Sequence, residues 1–313
     1  MRAVWLGEFG GPGVLVAGEA PDPVAGPGQV LVEVAFSNVT FVETQFRASG
    51  SGPFTPVLPM IPGNGVGGVI SRVGEGVGLG LVGKRVVTST GGAGGYAQRV
   101  AVDASLVFPV PDALSLDVAV ALLADGRTAT GLVHAASVRP GERVLVEAAA
   151  GGVGSLLVQL AKAAGAEVVA AAGGAEKIAR ARELGADFAV DYTEPGWPEK
   201  TGEVDVVFDG VGGEIGTTAF SLLRPGGRMA RYGLASGTWA EVSEEDARAR
   251  GVTLVGSIGD AAALRGFTES ALAAAAAGDL TPVIGQRFPL ADAAEAHAAI
   301  EARATFGKTL LVA

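Results

Sequence analysis

The spacing of apolar positions changes period along the chain. Over the first hundred or so residues, "QVLVEVAFS", "GGVISRVG" and "KRVVTST" alternate or run apolar and β-branched, separated by glycine and proline. That pattern predicts short strands in a barrel or sandwich-like unit. "PDALSLDVAVALLADGRTATGLVHAASVRPGE" then takes a helical period, with Pro111 and Pro140 at its edges, so a boundary is expected near Leu114 to Leu123. From Arg143 onward apolar strands alternate with helices. "RVLVEA" is followed by "GSLLVQLAKAAG", "EVVAAAG" by "AEKIARARELG", "FAVDY" by a proline-broken segment, "VDVVFDGVG" by "IGTTAFSLLRPG", and "RMARYG" by a polar stretch before "VTLVGS". Six such strands with intervening helices predict an α/β fold with a doubly wound parallel sheet, because parallel strands need crossovers. The last fifty residues hold two helical patterns and the short strand "KTLLV", which is expected to return to the first domain.

Composition narrows the class. At 313 residues, two domains and a sizeable core are expected. Nearly half the residues are apolar and 18% are charged, which excludes a disordered chain. The 49 glycines follow no collagen period and gather at turns. A net charge of -10 with no cluster of lysine or arginine argues against nucleic acid as a partner. The chain has no cysteine, so thiolate zinc sites and disulfides are excluded. Its two histidines, His134 and His297, sit in helical apolar patterns and are read as packing residues, so no metal is expected. "MRAVWLGEFGGPG" is no secretory signal, and the uncharged stretch Ala48 to Ser71 is too interrupted by proline and glycine to span a membrane. A soluble cytoplasmic protein is expected.

The chemistry centres on "EAAAGGVGS", Glu147 to Ser155, which lies between a strand and a helix. By itself the stretch is either a phosphate cradle or a small-residue turn, since Ala149 stands where the strict G-x-G-x-x-G pattern has its first glycine. The six-strand alternation favours the cradle. Gly151 and Gly154 let the backbone approach a pyrophosphate, and the helix N-terminus near Val153 favours its charge. The next strand ends "VVAAAGGAEK", with no carboxylate at its tip for the ribose diol of NAD. Gly173 and Gly174 leave room for a 2′-phosphate that Lys177 would neutralise; the alternative is that Lys177 is a solvated helix lysine. NADPH is the expected cofactor.

"RVLVEAAAGGVGSLLVQLAKAAGAEVVAAAGGAEKIARARELGADFAVDY", "VDVVFDGVGG" and "ARATFGKTLLV", with "VLVEVAFSNVTFVETQFRASG" and "GYAQRV" in order, together resemble the zinc-free, zeta-crystallin-like quinone oxidoreductases of the medium-chain dehydrogenase/reductase superfamily. The resemblance implies a β-rich GroES-like domain of residues 1–118 and 258–313, a Rossmann domain of residues 119–257, and NADPH held between them. Carried over by position, it puts Ala149, Gly151, Gly152, Val153 and Gly154 at the pyrophosphate and Lys177 and Tyr192 at the adenosine phosphate and ribose region. It puts Arg303 at the nucleotide, though as a residue Arg303 reads equally well as a helix-end cap. Thr128 of "GRTATG" falls beside the nicotinamide. Relatives pair through the sheet edge here formed by "VTLVGS", so a homodimer is expected.

Departures fall around the acceptor. Thr40 replaces an asparagine that faces the nicotinamide and substrate, and Gln45 replaces a tyrosine. Asn64 and Gly65 stand where relatives carry glutamate or a zinc-binding His-Glu pair, and Asp125 and Arg127 replace neutral residues. The expected reaction is hydride transfer from NADPH to a small quinone or enone without zinc, with Thr40 and Thr128 as the catalytic candidates for the developing oxygen charge. Two alternatives stand beside it: a C=C reductase with a dedicated substrate, and a non-catalytic NADPH-binding structural or regulatory protein.

Overall fold

The computed structural model describes residues 1–55 and 57–313. Strand Gln29–Val39 is the spine of a seven-stranded mixed sheet, pairing antiparallel with Gly65–Val73, Arg99–Asp103 and Lys308–Val312. The terminal strand therefore returns to the first sheet, as expected. Ile284–Pro289 runs parallel to it, a strand the glycine and proline of "IGQRFP" had obscured. Val30, Val32, Val66, Ile70 and Val86 form one buried cluster, and Val4, Leu6, Phe46, Tyr96 and Leu311 another. Helix α1 (Phe41–Ser49) supplies Phe46 and ends at Gly50, whose φ of 72° suits a residue without a Cβ.

These elements belong to a unit made of Met1–Ala124 and Leu272–Ala313; the second unit is Asp125–Ala271. The divisions, after Ala124 and after Ala271, fall inside two continuous helices, α2 (Leu116–Ala136) and Ala261–Ala277.

In the second unit six strands are all parallel, ordered Phe188–Asp191, Glu167–Ala172, Arg143–Glu147, Val204–Asp209, Leu223–Arg231 and Thr253–Val255. In chain order this is third, second, first, fourth, fifth, sixth, the doubly wound arrangement whose order reverses beside the first strand. Val168 to Ala172 is buried without alternation, as a strand covered on both faces requires. Helix α3 (Gly152–Ala163) buries Leu156, Leu157 and Ala161, each leucine contributing roughly 1.5–3 kcal/mol. Helix α4 (Ala175–Glu183) follows the second strand. Among the described residues no helix is long and apolar enough to cross a membrane.

Candidate functional site

The first strand of the parallel sheet leads into the turn through Ala148, whose φ of 48° is a left-handed conformation that costs an alanine roughly 1–2 kcal/mol. The turn is fastened on both sides: Ala149 donates its N–H to Ala171 (3.1 Å), and Gly151 donates to Ala148 (2.8 Å). Gly151 is the N-cap of α3 and has no side chain to cover the first-turn amides. Those amides carry the positive end of the helix dipole. A Cβ on Gly154 would collide with the backbone of Ala148, so only glycine lets α3 start this close to the strand. Ala149 is buried, while Gly151, Gly152 and Val153 remain half-buried. This is a cradle a pyrophosphate fits, with small residues where side chains would fill it.

The second strand ends at Ala172, and beyond it Gly173 lies against Tyr192: a Cβ there would stand 3.2 Å from the tyrosine ring. Lys177 is the third residue of α4 and half-buried. The structure thus brings Gly173, Lys177 and Tyr192 to one end of the sheet with the turn. It also brings a residue the sequence reading passed over. Asp191 accepts hydrogen bonds from the Gly174 N–H (2.9 Å) and from Thr193. Burial works to raise its pKa, but these bonds outweigh it and hold the carboxyl below the usual range.

Beneath the turn, Glu147 and Asp209 end the neighbouring first and fourth strands, and both are fully buried. Asp209 Oδ1 accepts from the N–H groups of Val211 (3.0 Å) and Gly212 (2.7 Å), whereas among the described residues no N–H or O–H donor is assigned to its Oδ2 or to either Glu147 oxygen. Burial first, and then the charge of Asp209, push the Glu147 carboxyl well above its ordinary range. The Tyr232 hydroxyl donates to the Glu147 carbonyl (2.9 Å). Only the pairing of the strands makes this cluster visible.

Helix α2 adds three polar residues to the second unit. Asp125 is buried and its carboxylate lies against Gly152, where an added Cβ would overlap it. Arg127 and Thr128 follow, both half-buried.

The remaining expected site residues lie in the first unit. Thr40 is the N-cap of α1: its Oγ1 donates to Glu43 Oε2 (2.7 Å) and accepts from the Glu43 N–H (3.4 Å), while the Thr40 N–H donates to the same carboxylate (2.7 Å). "TFVE" is the sequence signature of such a capping box, and it was the signal for Glu43. Glu43 also accepts from the Asn64 N–H (2.8 Å), and burial raises its pKa against these hydrogen bonds. Asn64 Oδ1 accepts from Ser89 Oγ (2.8 Å). Gln45 lines a shallow hollow of about 340 Å³ with Ala48, Ser49, Ser51 and Gly52. His297 is buried, with Nε2 2.9 Å from the Tyr96 hydroxyl, and burial, followed by the charge of Arg47, lowers its pKa to about 3. His134 packs on Phe267 with ring centroids 5.5 Å apart. Arg303 is exposed just past helix Ala293–Glu301, with a φ of 56°.

Comparison with known proteins identifies this architecture. Residues 26–112 match the alcohol dehydrogenase GroES-like domain, and residues 152–275 match the family described as zinc-binding dehydrogenase. Among the described residues no group of three or more His, Cys, Asp or Glu is arranged to hold a metal ion. Human quinone oxidoreductase is 34% identical over 95% of this chain and 93% of its own. A Burkholderia 2-haloacrylate reductase is 32% identical over 100% of this chain and 99% of its own. The crystal structure of Escherichia coli quinone oxidoreductase complexed with NADPH superposes with a TM-score of 0.91 at 29% identity, covering both chains completely. The chain belongs to the quinone oxidoreductase branch of the medium-chain dehydrogenase/reductase superfamily.

Proposed function

We propose that this protein is an NADPH-dependent oxidoreductase that delivers hydride to a quinone or similar activated carbonyl acceptor without zinc. The observation that carries the reading is the glycine-capped start of α3 on the first parallel strand, in a chain whose quinone oxidoreductase relative was solved with NADPH. NADPH, when bound, supplies the hydride. The chain's own residues bind and orient. The amides of Gly152, Val153 and Gly154 meet the pyrophosphate, and Lys177 and Tyr192 take the 2′-phosphate and adenosine side. Arg303 is assigned to the nucleotide by family position alone.

At the acceptor, Thr128 and Thr40 serve the oxygen on which charge develops. While Glu43 is ionised, the Thr40 hydroxyl proton is committed to it, so Thr40 acts on the acceptor only when Glu43 is protonated. Zinc plays no part in this scheme: a quinone accepts electrons without a Lewis acid, and the chain has no cysteine to hold the metal.

A second reading is reduction of an activated C=C bond, favoured by the 2-haloacrylate reductase relative and by Thr40 and Gln45 at the departures. Product analysis separates the two: a hydroquinone supports the first, a saturated C–C bond with no quinone turnover the second. NADPH fluorescence quenching without turnover of either acceptor returns the chain to a binding protein.

A further inference from the structure

Glu147 and Asp209 end the first and fourth strands of the parallel sheet, the two neighbours at which its order reverses. A dinucleotide lies over that crevice. Both carboxyls are fully buried and close enough to hydrogen-bond each other, which two carboxyl groups can do only while one keeps a proton. Each is also built into a turn that frames the crevice. Glu147 directly precedes Ala148, the left-handed residue that opens the pyrophosphate turn. Asp209 fixes the turn after the fourth strand by accepting from the N–H groups of Val211 (3.0 Å) and Gly212 (2.7 Å). Tyr232, past the end of the fifth strand, ties in a third strand by donating to the Glu147 carbonyl (2.9 Å).

The surroundings offer little to a second negative charge. The charges of Glu147, Asp209 and Asp125, with Tyr192, all bear on the Tyr232 phenol. Helix Gly213–Ser221 faces the pair with Gly216, where an added Cβ would stand 2.6 Å from Asp209 Oδ2. Arg231 is the register partner of Asp209 on the fifth strand, and its guanidinium donates to the Val242 carbonyl (3.3 Å).

We propose that Glu147 and Asp209 are positioning residues for the cofactor, whose shared proton joins the two turns of the crevice and lets it accept a dinucleotide bearing its own negative charges. The proposal rests on the NADPH-dependent reading and adds a proton to the cofactor site. Loss of that proton sets two carboxylates against each other at the strand ends, which drives the turns apart and adds a charge of the same sign as the phosphates above them. NADPH binding then takes up a proton from solvent wherever the free protein has released it, so affinity falls as pH rises.

The test reads the proton and the cofactor separately. Infrared difference spectra should show a protonated-carboxyl C=O band in the wild type that is missing from Glu147→Gln and from Asp209→Asn and that shifts when NADPH is added. In the wild type, Kd for NADPH by fluorescence titration should rise roughly 5- to 20-fold from pH 7 to pH 9, a window above the phosphate titration at about pH 6. Both variants keep an N–H donor across the pair but have no proton to lose, so their Kd should change by less than about twofold over the same window. Calorimetry at pH 9 in two buffers of different ionisation heat should find net proton uptake on NADPH binding by the wild type and none by either variant. A wild-type Kd that is flat with pH, variants that lose affinity as steeply as the wild type, or a carboxyl band unmoved by either substitution would overturn the proposal. A purely structural pair would give the second of these results, since it weakens binding equally at every pH. Each such failure leaves NADPH binding and turnover at pH 7 in place, whereas failure of the oxidoreductase reading shows as no acceptor reduced.

Discussion

Glu147 and Asp209 stand side by side at the ends of adjacent parallel strands, fully buried and within reach of a proton shared between their carboxyl groups. Two carboxylates in that setting are tolerated when one carries a proton. The pKa of Glu147 is raised in the folded protein, so its contribution to stability is complete below the unfolded value of about 4.5 and is lost as pH rises through the folded value. The loss approaches about 1.4 kcal/mol per pH unit over that window. Glu147→Gln removes the dependence. The variant should gain more unfolding free energy over the wild type at pH 8 than at pH 5, by roughly 1–3 kcal/mol, measured by denaturant unfolding at the two pH values. An equal difference at both would show that the pair does not share a proton.

Gly152 is coupled to Asp125. An added Cβ at 152 meets the end of a carboxylate side chain rather than backbone, so Gly152→Ala should be tolerated in folding while weakening NADPH binding through the displaced carboxylate. In Gly152→Ala/Asp125→Ala the two losses should fall short of additivity by about 1 kcal/mol or more, read by fluorescence titration. Gly154→Ala differs in kind. Its Cβ meets the Ala148 backbone, which cannot move aside, so this variant should lose both stability and cofactor binding.

Lys177 carries the choice of cofactor. Lys177→Ala should weaken NADPH binding by about tenfold and leave NADH binding nearly unchanged, since only NADPH carries the 2′-phosphate. Asp191 bears on the same selectivity. Engaged by Thr193 and the Gly174 amide, it has less capacity to take a ribose diol than an unbonded carboxylate would.

Among the described residues the last strand of the parallel sheet, Thr253–Val255, pairs on one side only, with Leu223–Arg231. An unpaired strand edge is a template for a second copy. Sizing with light scattering should return a dimer at micromolar concentration, and Val255→Asp should shift it to monomer without loss of secondary structure.

The strand and helix periods were legible because each parallel strand is a short apolar run and each crossover a 3.6-period helix, so "RVLVEA" and "GSLLVQLAKAAG" announce themselves. The turn between them was legible through its small residues. What stayed hidden depends on register. Glu147 and Asp209 are 62 positions apart and meet only because their strands are neighbours. Asp191 reaches Gly174 from the end of the adjacent strand, which no sequence pattern displays. Thr40 is the opposite case. Its capping box was written in "TFVE", yet the family position drew attention to the acceptor instead of to Glu43 three residues on.

The central claim is zinc-independent reduction of a quinone by NADPH, and the decisive measurement is NADPH oxidation at 340 nm with a neutral quinone, on protein treated with a chelator and verified zinc-free by elemental analysis. The account predicts stoichiometric formation of hydroquinone, undiminished by chelation, with NADPH strongly preferred over NADH. Turnover that disappears on chelation and returns with zinc, or tight NADPH binding with no quinone reduced, would contradict it.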